Sequence, residues 1–125
     1  MTISDNTITV FGIPNCDTVK KARTWLTTEG LPFEFHDFKK QGLTQVQVEA
    51  WLAHLSLDVL INRKGTTWRA LSQEQQALAE HKEGAISLML ANPSLIKRPV
   101  TVRKNAGNTT MMVSFKPELY QAFFA

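Results

Sequence analysis

Polar and apolar positions alternate along Thr7-Ile8-Thr9-Val10-Phe11, the two-residue period of a half-buried strand. Gly12-Ile13-Pro14-Asn15 breaks the pattern with turn chemistry. From Cys16 the period lengthens. Val19, Ala22 and Leu26 fall at i, i+3 and i+7 on one helical face, and Lys20, Lys21 and Arg23 lie off it. Gly30 and Pro32 supply a helix stop. Alternation returns over Phe33-Glu34-Phe35-His36-Asp37-Phe38. Strand, helix and strand in so short a span predict a βαβ unit, with parallel strands and a right-handed crossover.

The middle of the chain reads as helical. Thr44 to Gln47 is a capping-box pattern, followed at helical spacing by Val48, Trp51, Leu52 and Leu55. Ser72 to Gln75 is a second such box. Gly84 to Asn92 carries Ile86, Met89 and Leu90, and Pro93 ends it. Pro99–Val102 and Thr110–Val113 then read as strands, and the turn-rich Asn105-Ala106-Gly107-Asn108 between them predicts a hairpin. Pro117 sits where a first helical turn tolerates proline, ahead of Leu119, Tyr120 and Phe123. The order βαβ, helical block, ββα is that of an α/β, thioredoxin-like fold. Its expected form is a four-stranded mixed sheet with an inserted helical subdomain.

Bulk properties narrow this only a little. A chain of 125 residues supports one domain spanning 1–125, with the helical insertion at about 42–95. No run of 18 apolar residues exists to span a membrane. The first residues lack a basic segment followed by an apolar one, so no secretory signal is expected. A single cysteine excludes an internal disulfide and points to a reducing, cytoplasmic setting. The net charge of +3 suits an anionic small molecule or partner surface. Lys and Arg are dispersed along the chain, so nucleic-acid binding is not expected. A monomer is the default.

Chemistry centres on Cys16. A lone cysteine is more often a small buried hydrophobe. This one, however, follows a strand and a Pro-containing turn and opens a helix. The unpaired amides and positive end of a helix favour the thiolate, which is the attacking species. Lys20 adds a cation one turn on, and Asp17 opposes it; on balance a lowered Cys16 pKa is expected. Arg98 precedes Pro99 at a strand start. It reads either as a solvent-facing arginine or, if Pro99 is the cis-proline that thioredoxin-like folds place facing the cysteine loop, as a guanidinium reaching Cys16. There it would hold an oxyanion or carboxylate by a bidentate pair. Arg63 lies in a basic stretch with Lys64 and Arg69 and reads as a surface charge or an anion ligand. His36, His54 and His81 lack metal-ligand spacing, so no metal is expected. Neither phosphate-binding glycine loop nor a serine nucleophile elbow is present. Trp25, Trp51 and Trp68 fall on helical patterns and read as core.

Three segments carry a family resemblance: Phe11-Gly-Ile-Pro-Asn-Cys-Asp-Thr-Val-Lys-Lys-Ala22, Leu60-Ile-Asn-Arg-Lys-Gly-Thr-Thr-Trp-Arg69 and Leu95-Ile-Lys-Arg-Pro-Val100. Together they resemble the arsenate-reductase-like (ArsC/Spx) family, in particular its short YffB-type branch. The resemblance runs over nearly the whole chain. It implies that Cys16 is the nucleophile, that Arg63 and Arg98 hold an oxyanion and steady the thiolate, and that Asn15 and Pro99 shape the site. Glutathione would form a mixed disulfide that glutaredoxin resolves. Three positions depart from the family pattern. Gly12 stands where coupled arsenate reductases carry a histidine. Lys116 stands where a third arginine follows their last strand; it offers charge without a planar fork. Val19 replaces the second cysteine of the Cys-x-x-Cys switch in most Spx-type regulators.

The expectation is therefore a glutathione-dependent monothiol reductase that binds no cofactor tightly, with glutathione or another small thiol as co-substrate. Two alternatives stay open: a glutaredoxin-coupled arsenate reductase, and a non-enzymatic Spx-like regulator that binds RNA polymerase.

Overall fold

A computed structural model describes residues 6–125. In chain order the elements are β1 (Thr7–Gly12), α1 (Asp17–Thr28), β2 (Glu34–Asp37), α2 (Phe38–Gln41), α3 (Gln45–Leu52), α4 (Leu57–Leu60) and α5 (Thr66–Arg69). They continue with α6 (Gln73–Leu78), α7 (Lys82–Ala91), a 3₁₀ turn (Pro93–Leu95), β3 (Val100–Asn105), β4 (Asn108–Val113) and α8 (Pro117–Phe123). The described chain divides into two compact units. One holds the residues up to Gln41 together with Arg98–Ala125; the other is Gly42–Lys97.

The first unit is built on a four-stranded mixed sheet of order β2-β1-β3-β4, the α/β, thioredoxin-like arrangement. β1 and β2 run parallel, with Thr9 opposite Glu34 and Gly12 opposite Asp37. β3 lies antiparallel to β1, with Phe11 opposite Val100, and β4 returns antiparallel to β3. The hairpin between them has a two-residue loop, Ala106 and Gly107, both at positive φ (53° and 83°). That is the twist a two-residue hairpin requires.

Helix α1 buries the stripe expected of it: Val19, Ala22 and Leu26 are fully enclosed. Its C-terminus is closed by a Schellman motif. Leu31 N–H donates to the Leu26 carbonyl (3.0 Å) and Gly30 N–H to that of Thr27 (3.1 Å), with Gly30 at φ +71°. The second strand is shorter than its Phe33–Phe38 pattern predicts. The Asp37 carboxylate accepts the Lys39 amide (2.8 Å) and the Gln41 side chain accepts the Asp37 amide (3.0 Å). An aspartate in this role starts a helix, so Phe38 belongs to α2 and is buried there.

The core of this unit joins Ile8 and Val10 of β1, Ala22 and Leu26 of α1, and Tyr120 of α8. The Tyr120 ring meets Trp25, Phe115 and Phe124 edge-on, with centroids at 5.4, 4.7 and 5.4 Å. Its hydroxyl is hydrogen-bonded to the buried Thr101 hydroxyl. Burial pushes the Tyr120 phenol up from 10.0 to about 12, and the Thr101 hydrogen bond offsets part of that rise. The folded state therefore keeps a proton that the unfolded chain loses. The associated stability is complete below about pH 10 and disappears as pH rises to about 12, a span worth about 3 kcal/mol. In urea unfolding, Tyr120→Phe is expected to lose about 1–2 kcal/mol near pH 9, because Thr101 is left unpaired. It should also lack this part of the alkaline decline. An unaltered alkaline limb in that variant would assign the decline to another group.

The helical unit forms as its caps dictate. Thr44 with Gln47 and Ser72 with Gln75 make both halves of their capping boxes, at the starts of α3 and α6. Ser56 caps α4. Val48 and Trp51 of α3 and Ala85, Ile86, Leu88 and Met89 of α7 are buried within it. Leu60-Ile61-Asn62 is laced to Leu95-Ile96-Lys97 by Asn62 N–H to Leu95 O and Lys97 N–H to Leu60 O, both 2.8 Å. α2, α4 and α5, each four residues long, are too short to leave a readable period in the sequence.

Candidate active site

Strand direction brings the candidate residues of the first unit to one end of the sheet. β1 and β2 finish there, at Gly12 and Asp37, and β3 starts there, because Phe11 faces Val100. The loop leaving β1 passes through exposed Pro14 and Asn15 and enters α1 at Cys16.

Cys16 is the N-cap of α1, with extended backbone (φ −103°, ψ 125°). Its carbonyl accepts the first helical hydrogen bond, from Lys20 N–H at 2.9 Å. α3, α4 and α6 start on Thr44, Ser56 and Ser72, whose hydroxyls accept first-turn amides. At α1 a sulfur takes the place of that hydroxyl, and the Cys16 side chain makes no capping bond. The thiol is free and half-buried, outside the enclosed core.

Arg98 and Pro99 stand at the same sheet end, just ahead of β3. The peptide bond between them is cis. Pro99 is buried, and its carbonyl accepts the Ser114 amide (2.9 Å), which ties the start of β3 to the end of β4. Arg98 is half-buried. At the neighbouring register position His36 packs its ring on Phe11, with centroids 4.8 Å apart.

Gly12 is enclosed. A Cβ built on it would stand 2.8 Å from Val19 Cγ2. With valine at 19, position 12 has no space for a histidine. Two of the departures from the family pattern thus meet in a single contact.

Lys116 is exposed as the N-cap of α8. With Lys20, Lys21, Trp25, Phe115 and Pro117 it borders a groove of about 690 Å³. Sequence reasoning did not find this groove. Lys21 reads as a solvated off-face position and Trp25 as core, and only the fold sets Phe115 and Lys116 beside them.

Arg63 belongs to the helical unit. It donates to Asp58 Oδ1 at 2.6 Å, and its guanidinium lies over the Trp68 ring at 5.4 Å. Trp68 is accordingly half-exposed and not a core residue. Arg69 donates to the Lys64 carbonyl, while the Lys64 side chain is exposed. Among the described residues, no three His, Cys, Asp or Glu side chains cluster to hold a metal ion. No described helix is long and apolar enough to cross a membrane.

Known proteins match this arrangement. An uncharacterized protein of Haemophilus influenzae is 39% identical over 118 residues, covering 94% of this chain and 99% of its own. The global transcriptional regulator Spx of Streptococcus pyogenes is 24% identical, covering 94% of this chain and 85% of the regulator. Among solved structures, the YffB protein superposes with a TM-score of 0.82 at 43% identity, covering 95% of this chain and all of its own. An arsenate reductase (ArsC) related protein from Brucella melitensis gives 0.73 at 41% identity, covering 98% of each chain. The sequence profile of the ArsC family matches residues 11–123. This chain belongs to the ArsC family, on an arsenate-reductase-like fold that it shares with Spx-type regulators.

Proposed function

We propose that the protein is a glutathione-dependent monothiol reductase acting through Cys16. The observation that carries this reading is a half-buried free thiol at the N-cap of α1, at the sheet end where Arg98 and cis-Pro99 begin β3. An anionic sulfur at that position meets the first-turn amides and the positive end of the helix. It attacks one sulfur of a disulfide substrate, a mixed disulfide forms at Cys16, and the other half leaves as a thiolate. A glutathione thiolate then attacks the substrate sulfur of the mixed disulfide and frees the Cys16 thiolate, or attacks the Cys16 sulfur, releases the substrate thiolate and leaves a glutathionyl adduct for a second thiol to reduce. With no second cysteine in the chain, resolution needs that external thiol, or glutaredoxin where the adduct is glutathionyl. Arg98 supplies guanidinium charge for the thiolate or a substrate carboxylate, with Lys116 a lesser contributor.

Intact-protein mass spectrometry tests this directly. Oxidised glutathione is expected to add one glutathionyl group, at Cys16, and reduced glutathione with glutaredoxin to remove it. An unlabelled native protein would return Cys16 to a packing role. Arsenate offered with glutathione and glutaredoxin distinguishes the narrower substrate: its turnover would name arsenate, and its inertness would leave disulfides.

The Spx relatives support a second, non-enzymatic reading, a regulator that binds RNA polymerase or another protein. A stoichiometric partner retained equally by the native protein and by Cys16→Ser would favour it. The dithiol switch of such regulators is absent, since Val19 stands in the second position.

A further inference from the structure

We infer that the groove between α1 and α8 seats the carboxylates of the small thiol, so that Cys16 exchanges preferentially with thiols and disulfides of net negative charge. This rests on the exchange chemistry proposed above and adds the place where the carboxylates of the exchanging thiol bind.

Charge and position argue for it together. Three ammonium groups, Lys20, Lys21 and Lys116, border the groove, and no acidic residue lines it. Asp17 and Glu118, in the first turns of α1 and α8, stay outside the lining. The walls are apolar and fixed: Trp25 lies edge-on to Tyr120 and stacked on Phe124 (6.0 Å), and Phe115 is edge-on to Tyr120. Lys20 follows Cys16 by one helical turn, a rise of about 5.4 Å, and Thr24 and Thr28 continue the same i+4 line along the groove. A small peptide attached through sulfur to Cys16 can therefore lay its remainder along α1. The volume of about 690 Å³ is in the range of small-molecule sites. Lysines on flexible stems suit two separated carboxylates, which act as point charges and need no planar fork.

The step requires no further reactant. The Cys16 thiolate forms a new S–S bond to one sulfur of the disulfide, the old S–S bond breaks, and one glutathione thiolate leaves.

The test compares rates of Cys16 adduct formation with oxidised glutathione, which is anionic, and with cystamine, which is cationic, read by intact mass at low salt. The native protein should favour oxidised glutathione by about tenfold, and added salt should shrink the preference. In Lys21→Glu/Lys116→Glu the preference should fall at least about tenfold, chiefly through slower glutathione reaction. A preference unchanged by that double substitution would overturn the groove assignment. If neither disulfide labels Cys16, the exchange reading fails, and the groove is judged separately. S-methylglutathione added to Cys16→Ser should then shift the amides of Lys20, Lys21, Trp25 and Lys116. Shifts confined elsewhere, or none, would sink the assignment.

Discussion

Cys16→Ser is expected to remove all thiol-dependent turnover and leave the fold intact. The loss should be about a thousandfold or more, because the nucleophile itself is gone. No other sulfhydryl in the chain can substitute. Stability should move the other way. Cys16 occupies an N-cap with extended backbone and makes no capping bond, and serine is a preferred residue there. A serine hydroxyl can accept a first-turn amide, as Thr44, Ser56 and Ser72 do elsewhere in the chain. A gain of a few tenths to about 1 kcal/mol is expected. Turnover assays alongside denaturant curves separate the roles of this residue: a packing cysteine would cost stability when replaced, and a nucleophile costs only activity. Residual turnover in the variant would remove the basis for the enzymatic reading.

The second large effect is expected at Gly12. A Cβ there stands 2.8 Å from Val19 Cγ2 and 3.5 Å from Cγ1, and Val19 is fully buried on the core face of α1. A short branched side chain in that setting has little room to yield. Gly12→Ala should cost about 1–3 kcal/mol. Gly12→His, which adds a buried polar ring, should cost more than about 3 kcal/mol. Truncating the neighbour tests the cause. Val19→Ala removes both Cγ atoms and leaves its Cβ 3.7 Å from the new one, an ordinary contact. The double variant Gly12→Ala/Val19→Ala should therefore be more stable than the sum of the two single losses by about 1 kcal/mol or more. Denaturant midpoints of the four proteins give the coupling directly, and simple additivity would show that this contact is not what excludes a side chain at 12.

Much of this architecture was legible in the residue pattern, for identifiable reasons. The Val19-Ala22-Leu26 stripe, the two capping boxes and the turn residues at 105–108 each act locally, so the sequence alone exposes them. The strand expected to reach Phe38 stops at Asp37, because a carboxylate and a glutamine side chain compete for the backbone there. Periodicity registers no such contest. Cys16 stands out as a candidate by its place before a helix, Arg98 and Pro99 by theirs before a strand, and Asn15 only through the family resemblance. The Trp25–Phe115–Lys116 groove does not stand out, since residues some ninety positions apart line it. Arg63 illustrates another limit. Its ion pair with Asp58, five residues earlier, and its seat over Trp68, five residues later, depend on the turns of α4 and α5, which are too brief to announce themselves.

The sheet-bearing unit is discontinuous in sequence, and this governs how the molecule is made. β1 finds its parallel neighbour β2 by residue 37, but its antiparallel neighbour β3 only at residues 100–104. During synthesis the central strand must wait, half-paired, while the whole of Gly42–Lys97 emerges. That intervening stretch is contiguous and rich in near-neighbour bonds, so it is equipped to condense first. Once condensed, it replaces a long floppy tether by a compact one and lessens the entropy lost when β3 returns to β1. An insertion that condenses early would thereby ease closure of the very sheet it interrupts.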